Sequence, residues 1–218
     1  MEEKIDIFND KYELVGTANK KEAHQKGLWH RVFTCILVNP KTKTILLQKK
    51  VPGRYSFDRP DYIDVSVGGH YLAGEKIEEG TRELEEEVGI KMNFSNLIPL
   101  GVRQTAETVS EGYIVNEFQH IFICPLAQKL EDYHLEEVEV NGLVEMDIQD
   151  GIDLLLEKKD KIMGRGLFIN NGKREVCEME ITKNDFVLSY LKKDQFFLRL
   201  LIAAKRYVEG DKVEEIFC

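Results

Sequence analysis

The stretch from residue 63 to residue 90 restricts this chain more than any other part of it. Ile63-Asp64-Val65-Ser66-Val67 has the β-branched, alternating character of a strand, and Gly68-Gly69 stops it. Over 75–88 the pattern turns helical and strongly acidic, and Gly89 closes it as a glycine C-cap would. On that helix Glu83, Glu86 and Glu87 stand at i, i+3 and i+4, so three carboxylates leave one face. Like charges at that spacing destabilise an isolated helix by roughly 0.2–0.5 kcal/mol per pair. A solvated acidic face is the bland alternative; a divalent cation among the carboxylates resolves the conflict. Hard oxygen ligands in a partly hydrated site suit Mg²⁺ or Mn²⁺, ions that bridge carboxylates to phosphates. Arg82 and Glu75 have the charges to pair and pin the preceding loop, and Gly68-Gly69 lets backbone approach the ions.

Around this stretch the chain predicts a mixed α+β domain. Residues 5–16 alternate and turn like a small hairpin, and 20–26 is a polar connection. A continuous apolar run over 32–38, the turn Asn39-Pro40-Lys41-Thr42 and a second run over 45–48 predict two strands. Further strands are expected over 97–103, 115–123 and 138–144, and a helix over 148–158 with Ile152, Leu155 and Leu156 on one face. Asn171-Gly172 marks a hairpin, and a last helix over 185–207 has an apolar face of Val187, Leu191, Leu198, Leu201 and Ala204. That face needs a cover, either the chain's own core or a homodimer partner. The organisation expected is 1–28 as an N-terminal hairpin and connection, 29–160 as the main domain, and 161–218 as a C-terminal hairpin and helix packed on it.

Composition narrows the function classes. The chain has 218 residues and a net charge of −9, which repels a phosphate backbone and argues against nucleic acid as a partner. No run approaches the roughly 20 apolar residues of a membrane helix. Met1-Glu2-Glu3-Lys4 lacks the basic start and apolar run of a signal peptide, so a cytoplasmic location is expected and a membrane partner is not. Four widely spaced cysteines, two of them in apolar runs, suit a reduced chain with core thiols.

The segment 69–90 resembles the Nudix box: Gly, five residues, Glu, seven residues, Arg-Glu, aliphatic, any, Glu-Glu, any, Gly, aliphatic. Gly69, Glu75, Arg82, Glu83, Leu84, Glu86, Glu87, Gly89 and Ile90 fill it, a match expected by chance on the order of 10⁻⁷. In one departure, six residues rather than seven separate Glu75 from Arg82. The resemblance implies a Nudix fold, an α/β/α sandwich with a mixed central sheet, over about 30–160, and metal-dependent hydrolysis of a diphosphate linked to another group X. It implies that Glu83, Glu86 and Glu87 bind Mg²⁺ (or Mn²⁺) and carry the chemistry, with the Gly69 carbonyl as a further ligand and Glu75, Arg82 and Gly89 shaping the box. The general base stays open between Glu83, Glu86 and an acid of 136–139.

A second resemblance lies over 24–48, where Trp29-His30-Arg31-Val32-Phe33-Thr34 looks like the isopentenyl diphosphate isomerase branch of the same superfamily. In that isomerase three histidines and two glutamates hold a metal. His24, His30 and His70 fall at or near the matching places, and Glu117 matches one glutamate; Val115 stands where the other would be. The isomerase's catalytic cysteine is Gly68 here, which argues against isomerisation. His30 is equally readable as a packing residue, and His120 and His134 read as ordinary. Candidate substrate-binding residues are Arg54, in a loop with Tyr55, Phe57 and Arg59, together with Arg103, Glu117 and His70. The expected activity is that of a Mg²⁺-dependent pyrophosphohydrolase acting on a nucleoside diphosphate derivative or similar small diphosphate. The isomerase and a nucleotide-binding module without catalysis are its rivals.

Overall fold

The computed structural model of the protein describes residues 3–51, 62–135, 140–170 and 173–217. The chain opens with an antiparallel hairpin, β1 (Lys4–Phe8) and β2 (Leu14–Asn19), and continues into α1 (Lys20–Lys26). The central strand is β3 (Trp29–Asn39). It pairs in parallel with β8 (Tyr113–Pro125) on one side. On its other side it pairs antiparallel, in succession, with β1, with β6 (Val67–His70) and with β4 (Thr44–Lys50). The sheet grows outward from β4 through β9 (Val140–Asp147) to the hairpin β10 (Lys161–Asn170) and β11 (Lys173–Thr182). On the other side β7 (Ile98–Ser110) pairs with β8.

Both faces of β3 are buried, which explains its unbroken apolar run. Phe33, Cys35 and Leu37 enter one core, together with Val67, Leu84 and Val88; Ile36 and Val38 enter the other. The first core is covered by α2 (Arg82–Val88), the second by α3 (Ile148–Leu155) and α5 (Phe196–Glu209). Helices thus flank a mixed sheet, the sandwich expected. Phe196, Phe197, Leu200 and Leu201 are almost fully enclosed. At about 1.5–3 kcal/mol for each such side chain, α5 is held on its own chain's core.

Several local expectations need correction. Residues 20–26 form α1, not a connection: Ala23 and His24 are buried, and Gly27 at φ 62° gives a left-handed C-cap. The strand over 63–67 is split into β5 (Ile63–Asp64) and β6, and Gly68-Gly69 lie inside β6 rather than ending a strand. The acidic helix begins with a 3-10 turn, Ile77–Thr81, so α2 itself spans only 7 residues. The last helix is two helices, α4 (Leu188–Lys192) and α5, separated where Gln195 adopts φ 53°. β7 and β8 run to 13 residues each, longer than expected, because they pair with each other beyond the core. Arg54, Tyr55, Phe57 and Arg59, the acids of 136–139 and the Asn171-Gly172 turn lie outside the described residues. Among those described, no helix is long and apolar enough to cross a membrane.

Candidate active site

Strand β6 separates two clusters of chemistry-bearing side chains, because alternate residues of a strand face opposite ways. Gly69 faces α2. A Cβ built there would stand 2.0 Å from Glu83 Cδ, so only glycine lets the Glu83 carboxylate lie against the strand. His70 faces the other way.

On the α2 side, Glu83 and Glu87 are buried while Glu86 is largely exposed. Glu87 accepts hydrogen bonds from Gln48 Nε2 at 3.1 Å and from the Gly68 N–H at 3.2 Å. Arg82 spans the cluster: Nε reaches Glu75 Oε1 at 3.0 Å, Nη2 reaches Glu83 Oε1 at 2.9 Å and Nη1 reaches Glu86. Glu75 also accepts from the Leu72 N–H at 2.7 Å, which ties down the loop before the helix. The pairing of Glu75 with Arg82 is therefore made despite the shortened gap, with the 3-10 turn filling it. Burial, opposed by Arg82 but reinforced by the charges of Glu87 and Glu86, pushes the Glu83 carboxyl up to about 7. Arg82 is thus shared among three carboxylates, Glu75, Glu83 and Glu86. This set of oxygen donors, cradled against a glycine, fits a hard divalent ion held by Glu83, Glu86 and Glu87. Gly89, at φ 72°, ends α2 by donating its N–H to the Glu85 carbonyl at 3.1 Å.

On the opposite side His24 from α1, His30 from β3, His70 from β6 and Glu117 from β8 converge, with one ligand atom of each within 4.8 Å of the others. His24 Nδ1 lies 3.1 Å from the Ile114 carbonyl and His30 Nδ1 lies 2.8 Å from the Leu28 carbonyl. A carbonyl only accepts, so both rings donate from Nδ1 and turn Nε2 inward. His24 Nε2 stands 3.1 Å from His70 Nε2. His30 Nε2 is fully buried without a hydrogen-bond partner, 3.7 Å from Glu117 Oε1. Burial, then neighbouring positive groups, lowers the pKa of His24 and carries that of His70 well below the usual range, which favours neutral rings; a metal would displace the proton that the two Nε2 atoms share. Burial would raise Glu117, but His30 and Gln119 hold it lower. Three imidazole nitrogens and one carboxylate fit a borderline ion such as Zn²⁺, Fe²⁺ or Co²⁺ better than Mg²⁺.

His70 and Glu117 are thus grouped with two further histidines. Arg103 faces the same side of the sheet, but its guanidinium is already engaged by Asp194 and Gln119. Sequence reasoning missed Gln48, Gln119, Asp194 and the pair Lys20 and Lys21. Those lysines line, with His24, Gln25 and Tyr113, a basin of about 640 Å³ beside the imidazoles. No spacing rule connects these positions; a basic pair one turn before His24 was the only available signal.

Comparison with known proteins agrees with this architecture. The NUDIX domain family matches residues 28–163. The chain is 36% identical over 189 residues to an uncharacterised Nudix hydrolase of Clostridium acetobutylicum, spanning 85% of this chain and 90% of that one. It is 34% identical over 93 residues to an isopentenyl-diphosphate Δ-isomerase of Aliivibrio fischeri, or 41% of this chain and 50% of that one. Its fold is similar to a crystallised protein of Deinococcus radiodurans, with a TM-score of 0.52 and 21% identity over 72% of this chain and 88% of that one. From its glycine-cradled acidic helix to its central sheet, the chain belongs to the Nudix hydrolase family.

Proposed function

We propose that this protein is a divalent-metal-dependent pyrophosphohydrolase that cleaves the diphosphate linkage of a nucleoside diphosphate derivative or similar small diphosphate. The observation that carries this reading is the Glu83 carboxylate laid on Gly69 beside Glu87, whose own oxygen is fixed by Gln48 and the Gly68 N–H. Divalent ions at Glu83, Glu86 and Glu87 would neutralise the diphosphate and activate a water for attack on phosphorus. Around them, Glu87 is oriented by Gln48 and the Gly68 N–H, Glu86, exposed and paired with Arg82, can exchange that pair for a ligand, and Glu83 is held against Gly69. Glu83, Glu86 and an acid of 136–139 all stay candidates for the base.

The imidazole cluster favours a second reading, the isomerase. Its metal set is nearly assembled, with Val115 in place of one glutamate. Gly68, however, offers no thiol where that chemistry needs an acid or base, and its N–H serves Glu87 instead. The imidazole cluster is better read as a second ion site of the hydrolase. Phosphate release from a panel of nucleoside diphosphates, sugar nucleotides, dinucleotides and isoprenoid diphosphates with Mg²⁺ tests the proposal. Hydrolysis of one class supports it; conversion of isopentenyl to dimethylallyl diphosphate, or tight nucleotide binding without product, overturns it.

A further inference from the structure

A buried polar chain leads away from the imidazole cluster to the C-terminal segment. Glu117 Oε2 accepts from Gln119 Nε2 at 2.8 Å, and Gln119 Oε1 accepts from Arg103 Nη1 at 2.8 Å. Arg103 Nε and Nη2 donate to Asp194 at 2.7 and 3.2 Å, closing a two-pronged pair across 91 residues of sequence. The guanidinium lies over the Phe196 ring at 4.2 Å and near the Tyr190 ring at 5.2 Å, so its plane is fixed by packing as well as by charge.

The chain has only one consistent polarity. Arginine donates and never accepts, and an ionised aspartate accepts only. Arg103 therefore compels Gln119 to turn its oxygen toward the guanidinium, which leaves its NH₂ for Glu117. Without Arg103 held in place, the Gln119 oxygen loses its donor, and the amide that steadies Glu117 from behind is anchored at one end only. Asp194 holds Arg103, and it sits at the kink between α4 and α5, beside Gln195 at φ 53°. A second tie, Lys193 Nζ to Glu107 Oε1 at 3.0 Å, fastens the same kink to β7 without touching the polar chain.

We propose that Asp194, Arg103 and Gln119 are positioning residues that orient Glu117 for a metal ion shared with His24, His30 and His70, so that the C-terminal segment sets the affinity of that site. This rests on the reading of the imidazole cluster as an ion site. Partners that orient a metal ligand from behind typically govern about 10–100-fold in metal affinity.

The test is a Co²⁺ titration of the metal-stripped full chain, followed by visible d–d absorption with excess Mg²⁺ to occupy the carboxylate side. Wild type should give a spectrum that His30→Ala abolishes. Asp194→Asn and Gln119→Met should each weaken Co²⁺ binding about tenfold or more, the double variant no more than the stronger single one, and Asp194→Glu should restore it. Glu107→Gln, which loosens the kink by the other tie, should bind Co²⁺ as wild type does. Wild-type affinity in both Asp194→Asn and Gln119→Met overturns the positioning role alone, as does an equal loss in Glu107→Gln, which would mean general loosening. A wild type without any His30-dependent Co²⁺ spectrum overturns this proposal together with the ion-site reading beneath it.

Discussion

The two sides of β6 reach similar ends by opposite routes. On the α2 side the candidate ligands are carboxylates close in sequence, gathered round the Arg82 guanidinium. On the other side they come from four elements, two of the imidazoles are held neutral by burial, and a hydrogen-bonded chain lies behind Glu117. The first design stores repulsion that a hard dication relieves. The second leaves His30 Nε2 buried without a hydrogen-bond partner, 3.7 Å from Glu117 Oε1. One strand, by alternating its residues, keeps the carboxylates and the imidazoles apart.

The largest expected effect tests the carboxylate side. Glu87→Gln keeps the hydrogen-bonding shape but loses the charge, and the loss of several kcal/mol of metal-assisted stabilisation should cut phosphate release on the order of a thousandfold. Circular dichroism should show the variant folded; normal turnover would remove Glu87 from the chemistry. Gly69→Ala follows, since its Cβ must displace Glu83. A urea midpoint should report destabilisation of about 1–3 kcal/mol, with activity falling alongside. Unchanged stability and rate would show that Glu83 does not need the cradle.

Independence of the two sides is the next comparison. Because they share no side chain, His30→Ala should abolish Co²⁺ absorption while Mg²⁺ activation of hydrolysis keeps its midpoint within about threefold, and Glu87→Gln should do the reverse. Equal loss in both assays would merge them into one site.

The smallest effect is a pair of opposite pH slopes in protein freed of metal with EDTA. Glu83, raised to about 7 by burial, binds more protons folded than unfolded, so its contribution to stability is lost as pH rises from about 4.5 to 7. His24 and His70, lowered by burial, bind fewer protons folded, so their contribution is lost as pH falls below about 6.5. Urea midpoints across pH 4–8 should show Glu83→Gln removing the first slope, worth on the order of 1–3 kcal/mol, and His70→Asn reducing the second. Slopes of the same sign in both variants would contradict the contrast.

The carboxylate side was largely legible in the sequence because helical spacing is a local rule: Glu83, Glu86 and Glu87 share a face whatever surrounds them. The strands β3 and β4 were legible for the same reason, through apolar runs and a turn. The break in the last helix was not, since Leu191 and Leu198 continue the apolar face across Gln195, and it is packing of Phe196 and Phe197 on the core that bends the chain there. Lys20–Lys26 was misread because a seven-residue helix has almost no periodicity of its own, and burial of Ala23 and His24 holds it.

The sequence alone determined the acidic face, the glycines beside it and the order of strands, because each follows from the spacing of near neighbours. The isomerase resemblance already groups His24, His30, His70 and Glu117, which the fold brings together; tertiary structure alone decided that Asp194 governs Arg103 from 91 residues away and which way the Gln119 amide points. Those outcomes depend on the parallel pairing of β3 with β8 and on where α4 and α5 settle. They are long-range choices fixed by burial and by the matching of donors to acceptors, and no periodicity along the chain encodes them.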